Sequence, residues 1–165
     1  MPLFEFQYPS KMPQQGGKTA TIAPSRVIQH VGPVLTVFIM PSPQHIASVI
    51  KTGQKPADPV QGIALIDTGA SVTMVDELIC KNMGLQPTGF APLCHADGKS
   101  EKRPCFAIQI SFPNTPLATP LFHPRVVSGN LQAGNPKYSL LLGRDLMTNM
   151  KFVYNGFYGR FEIAL

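Results

Sequence analysis

The chain has 165 residues, with 14 Lys and Arg against 9 Asp and Glu and a formal net charge of +5. That length suits one domain around one core, and the basic residues are scattered from Lys11 to Arg160 without a dense run or an aromatic platform, which speaks against nucleic-acid binding. Cys80, Cys94 and Cys105 are odd in number and lack metal-ligand spacing, so neither a disulfide framework nor a metal site is expected, and free thiols fit a reducing compartment.

Seventeen Pro and fourteen Gly punctuate short runs of Val, Ile, Phe and Thr, a composition that predicts a mostly β fold. Residues 1–25 carry Pro2, Pro9, Pro13, Gly16, Gly17 and Pro24 and read as an extended or flexible arm. The alternation of Phe4, Phe6 and Tyr8 would let this arm add a strand to a sheet, including one across a dimer. Residues 1–24 hold no continuous apolar leader and no segment reaches the length of a membrane span, so a soluble, cytoplasmic protein with no membrane contact is expected.

Residues 31–40 read as the first core strand. Residues 41–62 form a long excursion, with helical turns over 44–50 and a loop over 51–59; such a length suits the wall of a binding groove or a surface loop. Val60, Ile63, Leu65 and Ile66 then make a buried strand that ends on Asp67-Thr68-Gly69-Ala70. An acid on a tight turn after an apolar strand is a carboxylate held up from a stiff base. Thr68 offers a hydroxyl beside it, and Gly69 permits either a close approach or a positive φ. Asp76 is placed to cap a short helix over 77–83 that stops at Gly84.

Residues 90–94 and 105–112 form a hairpin pattern about a tip at Asp97-Gly98. A strand over 121–127, a loop over 128–137, a strand over 138–142 and a helix over 144–150 follow, and residues 152–163 predict a hairpin turning at Asn155-Gly156. His30, His45, His95 and His123 are dispersed and read as ordinary loop or strand residues. Cys94 and His95 are neighbours on a strand, point to opposite faces and make no nucleophile pair.

Asp67-Thr68-Gly69-Ala70, followed roughly seventy residues later by Leu141-Leu142-Gly143-Arg144-Asp145, resembles the retropepsin family of single-domain aspartic proteases from about residue 34 onward. The resemblance implies that residues 26–165 form a retropepsin-like half-barrel with one or two short helices, carrying the 41–62 insertion. The 90–112 hairpin would be a flap with Ala96, Asp97, Gly98 and Lys99 at its tip. It implies an endopeptidase that takes extended peptides and needs no metal or cofactor, with Asp67 as the catalytic acid. Only one such acid loop is present, so a catalytic pair requires a two-fold homodimer in which Asp67 faces its own copy.

In the resembled family the hydroxyl at Thr68 bonds the opposite loop, Gly69 offers a carbonyl to substrate, and Ala70 leaves room for substrate side chains. Leu65, Ile66, Leu141 and Leu142 would be the apolar bed, and Leu142, Gly143, Arg144 and Asp145 the second structural motif. The acid that pairs with the family's arginine is replaced by Ser71, so Arg144 is expected to turn to Asp145, Asp76, a partner chain or water. That replacement, the altered flap and the insertion leave an alternative: a retropepsin-fold module that dimerises or binds peptides without cleaving them. An unrelated β domain would have to carry both motifs and the hairpin order by chance.

Overall fold

The structure, a computed structural model, describes residues 3–13, 19–94, 98, 100–113, 115, 119–134 and 137–164. The fold is mostly β. In chain order the elements are β1 (Leu3–Gln7), β2 (Lys11–Pro13), β3 (Thr19–Thr21), α1 (Pro24–Val31), β4 (Val34–Pro41), α2 (Pro43–Lys51), β5 (Val60–Ile66), β6 (Met74–Asp76), α3 (Glu77–Asn82), β7 (Gly89–Cys94), β8 (Ser100–Ser111), β9 (Leu121–Gly129), β10 (Leu140–Leu142), α4 (Arg144–Met147), β11 (Lys151–Asn155) and β12 (Arg160–Ala164). A 3-10 turn at Leu131–Ala133 precedes β10.

The main sheet runs β4-β5-β10-β6-β9-β8-β7, and β4 also pairs with β8. Phe38 of β4 lies opposite Gln61 on one side and Ser111 on the other, so the sheet closes on itself. The half-barrel expected from sequence is therefore a closed ring of six strands with β7 outside on β8. Closure removes the edges that β4 and β8 would otherwise expose. Alternation places Leu35, Val37 and Ile39 of β4 in the core, where they meet Ala64 and Ile66 of β5, Ile108 and Ile110 of β8, Val126 of β9 and Leu140 and Leu142 of β10.

The acid-bearing strand is locked in by topology. β10 lies between β5 and β6, parallel to the first and antiparallel to the second, with Leu142 opposite Ile66 and Leu140 opposite Val75. The loop that leaves β5 and returns as β6 must therefore pass over the end of β10.

A second sheet, β1-β12-β11, joins the two ends of the chain. The N-terminal segment, expected as an extended or flexible arm, pairs with the chain's own β12, Phe6 lying opposite Phe161 with rings stacked at 4.9 Å. The Tyr8 hydroxyl donates to the Gly32 carbonyl at 2.6 Å and accepts from the Val34 amide at 3.0 Å, tying this strand to the start of β4. The alternation of aromatic residues is thus used within one chain.

Four α-helices stand among the described residues where one or two were expected. Ser42 caps α2 by accepting from the His45 amide, and Asp76 caps α3 by accepting from Leu78, as its place in the sequence predicts. Gly84 follows α3 at φ +67. The unexpected helix is α1, which starts at Pro24 and buries Val27 and Ile28. Helix α4 stops at Met147, short of the expected 150. The last hairpin turns through four residues, 156–159, and the positive φ falls on Gly159 instead of at an Asn155-Gly156 pair. A Cβ at Gly159 would lie 2.2 Å from the Pro24 carbonyl carbon, so the close docking of α1 sets this turn. No helix among the described residues is long and apolar enough to cross a membrane.

Candidate active site

Strand β5 delivers Asp67 at its C-terminal end, half-buried, immediately after the buried Ile66. The Asp67 amide donates to the Leu142 carbonyl at 3.0 Å, extending the pairing of β5 and β10 by one step. Its carboxylate turns back on the loop: Oδ1 accepts from the Gly69 amide at 2.8 Å, and the Ala70 amide reaches the Asp67 carbonyl at 3.2 Å. This is an Asx-type turn, which orients the acid by its own backbone. Gly69 does not use a positive φ. A Cβ there would sit 3.1 Å from Asp67 Oδ1, so of the two uses expected of this glycine, the close approach is the one that applies.

The second motif grips the loop from below. The Arg144 amide donates to the Ala70 carbonyl at 2.9 Å, and the Arg144 guanidinium donates through Nη1 to the carbonyls of Thr68 at 2.7 Å and Gly69 at 3.1 Å. Among the described residues Arg144 therefore pairs with no acid, neither Asp145 nor Asp76. With Ser71 where a carboxylate would stand, the cation turns to the nearest strong acceptors, two backbone carbonyls of the acid loop. The Gly69 carbonyl, expected to face substrate, already holds this donor on one of its lone pairs.

Gly143 is where the loop crosses the motif. A Cβ there would meet the Val72 carbonyl carbon at 2.3 Å, its oxygen at 2.5 Å and the Thr73 nitrogen at 2.7 Å. Backbone touches backbone, so only glycine fits. Next to it, Asp145 accepts from the Thr73 amide at 2.9 Å and from the Thr73 hydroxyl at 2.7 Å, and the same hydroxyl accepts from the Gly143 amide at 3.1 Å. Burial works against the Asp145 charge, but the Thr73 hydroxyl and amide, the Leu146 amide and the His123 ring outweigh it and hold the carboxyl below its ordinary value.

The structure thus brings Asp67, Thr68, Gly69 and Ala70 together with Leu142, Gly143, Arg144 and Asp145. Thr68 is exposed, and its side chain takes no hydrogen bond among the described residues. Ile66 and Leu142 lie in the core beneath the acid, while Leu65 and Leu141 are half-buried beside them. The hairpin of β7 and β8 pairs from Gly89 opposite Cys105 to Cys94 opposite Ser100. Of its expected tip, Gly98 has φ +81, as a turn requires; Ala96, Asp97 and Lys99 lie outside the described residues, as does His95. Among the described residues, no group of three or more His, Cys, Asp or Glu is placed to hold a metal ion. Cys80 is buried, and burial together with the Asp76 and Glu77 charges pushes its thiol up to about 12, which leaves it inert as a nucleophile.

Two residues of this site were not legible as such. Thr73 was hidden in an apolar stretch, where its only signal was a lone hydroxyl two residues past Ser71. His123 read as an ordinary strand residue; its Nε2 lies 3.2 Å from Asp145, a contact between β9 and α4 that no spacing announces.

No protein-family model and no curated protein matches the chain. Among solved structures, it is similar to a retropepsin-like aspartic protease from Rickettsia conorii. The match covers 98% of this chain and 91% of that one, at 13% identity and a TM-score of 0.45. Likeness at that level leaves the family of this chain unassigned.

Proposed function

We propose that the chain is an aspartic endopeptidase whose active form is a two-fold dimer, with water activated between the Asp67 carboxylates of two copies. The observation that carries this reading is the hold on Asp67. Its backbone is fixed to Leu142, its loop is pinned by Arg144 and Gly143, and one carboxylate oxygen is oriented by the Gly69 amide. An acid held this firmly on a half-exposed turn, with one oxygen left free of the loop, supports a reactive role.

One carboxylate cannot both activate water and protonate the scissile carbonyl. Two carboxylates brought to about 3 Å share a single proton, because both cannot ionise cheaply, and one then serves as base while the other serves as acid. The exposed Thr68 side chain beside each acid is available to meet the second loop across the axis. The hairpin of β7 and β8 would close over a peptide held extended, excluding water and lengthening the sheet by one strand. On this reading Ala96, Asp97, Gly98 and Lys99 form the flap tip, Gly69 and Ala70 face the substrate backbone, and Leu142, Gly143, Arg144 and Asp145 support the acid from below.

The test is cleavage of unstructured protein between about pH 4 and 7 by wild type and Asp67→Asn, with sedimentation in parallel. The substitution keeps the oxygen that accepts from Gly69, so the fold should stand while turnover falls at least about 100-fold. Proteolysis unchanged by the substitution excludes Asp67 as the acid, and full activity in a strict monomer excludes the shared site. A well-folded dimer that binds extended peptides and cleaves none would instead be a binding module.

A further inference from the structure

The Asp145 carboxylate collects four donors. Oδ1 accepts from the Thr73 hydroxyl at 2.7 Å and from the Leu146 amide at 2.8 Å; Oδ2 accepts from the Thr73 amide at 2.9 Å and lies 3.2 Å from His123 Nε2. Four donors fill the lone-pair sites of a carboxylate. Three of them come from the end of the acid loop and from the acid's own helix. The fourth, His123, comes from β9 and ties the loop's anchor to a different part of the barrel.

The surroundings of the ring fix its tautomer. Nδ1 lies 3.2 Å from the Arg125 amide, which can only donate. Nδ1 is therefore the acceptor, and in the neutral ring Nε2 carries the hydrogen that goes to Asp145. The pair borders a cavity of about 260 Å³ whose other lining residues are Leu121, Phe122, Pro124, Leu146 and Asn149, none of them charged. Across the sheet His123 faces Ile108. The Arg125 guanidinium is held by the Phe90 carbonyl at 3.0 Å. Among the described residues Asp145 is thus the anion that the ring meets and Arg125 the neighbouring cation, while the Arg144 guanidinium, on the same helix as Asp145, is turned to the Thr68 and Gly69 carbonyls.

We infer that His123 is a positioning residue for the acid loop, holding Asp145 against Thr73, and that it holds more tightly when the imidazole is protonated. Protonation turns the contact of Nε2 with Oδ2 into a charge-assisted hydrogen bond, roughly twice as strong as a neutral one. It also sets two donors 3.2 Å apart, Nδ1–H and the Arg125 amide, but that contact is exposed, so the amide can turn to solvent at small cost. The balance favours the clamp when the ring carries its second proton. In its effect on turnover the inference rests on the proposed role of Asp67; in its effect on the loop it does not.

The experiment measures amide hydrogen-exchange protection at Thr73 and Gly143 in the full chain near pH 5.5 and near pH 7.5. It compares wild type, His123→Gln and His123→Ala, with kcat and KM followed alongside. Gln supplies a neutral donor. It should match wild type within about twofold at the higher pH and fall about five- to tenfold short at the lower, the difference between a neutral and a charge-assisted bond. Ala should lose protection at both, and kcat should follow the same pattern while KM holds. Equal Thr73 protection in wild type and His123→Gln at both values, or a deficit of the same size at both, overturns the inference. If Asp67→Asn leaves proteolysis intact while the protection pattern holds, the catalytic reading fails and the clamp stands.

Discussion

The Thr73 hydroxyl donates to Asp145 Oδ1 at 2.7 Å across 72 positions of sequence and accepts from the Gly143 amide at 3.1 Å. It is fully buried with both roles filled, so it fixes the far end of the acid loop without competition from water. Thr73→Val conserves volume but leaves a carboxylate oxygen and an amide short of a partner, and should cost about 2–3 kcal/mol. Thr73→Ser should cost less than half of that. Urea unfolding of the two variants checks the difference; equal losses would mean that the methyl group matters and the hydroxyl does not.

Gly143→Ala forces a methyl group into the Val72 and Thr73 backbone. Neither backbone is a flexible tip that swings aside, so the loop and β10 must separate. The expected loss is about 3 kcal/mol, at the upper end of overpacking costs, with turnover falling further than stability. A variant of wild-type stability would show that the crossing is looser than described.

Arg144→Lys retains the charge and loses the fork that reaches two carbonyls at once. The contact is exposed, so global stability should change by less than about 1 kcal/mol. The loop carrying Asp67 should loosen, and kcat should drop about tenfold with a smaller change in KM. An effect on KM alone would place Arg144 in substrate binding instead.

The Asp145 carboxyl titrates below its ordinary 3.8 when folded. A depressed folded value means that its contribution to stability is present in full above the unfolded value and is lost as pH falls through the folded one. Asp145→Asn has nothing to titrate and meets the Thr73 amide with a donor. It should be less stable than wild type above about pH 4, and the gap should narrow as acid is added below it. Thermal unfolding from neutral pH downward measures this, and a gap that stays constant throughout would contradict the shift.

Much of this architecture could be read in advance where local chemistry is strong. Val60 to Ile66 announced a strand, although alternation buries only Ala64 and Ile66 and leaves Ile63, expected inside, 47% exposed; Asp76 and Gly84 bracketed α3, and the apolar run before Gly143 marked β10. The shortfalls have physical causes. Pro24 opens α1 with Val27 and Ile28 as its buried residues, and β-branched residues without an N-cap side chain give little local preference for helix. Asn155-Gly156 is a strong turn signal, yet the docking of α1 against Gly159 moved the reversal. Arg144 could not be assigned a partner because its acceptors are carbonyls, which every residue has. His123 meets Asp145 only because β9 and α4 pack together, a fact of tertiary structure with no trace in spacing.

The position of β10 between β5 and β6 has a consequence for biosynthesis. Residues 64–66 leave the ribosome long before residues 140–142, against which they must lie, so a nascent chain cannot assemble the turn that bears Asp67 until residues 140–142 have emerged. Such distant closure is slow, so the turn that bears Asp67 is among the later parts of this fold to take shape.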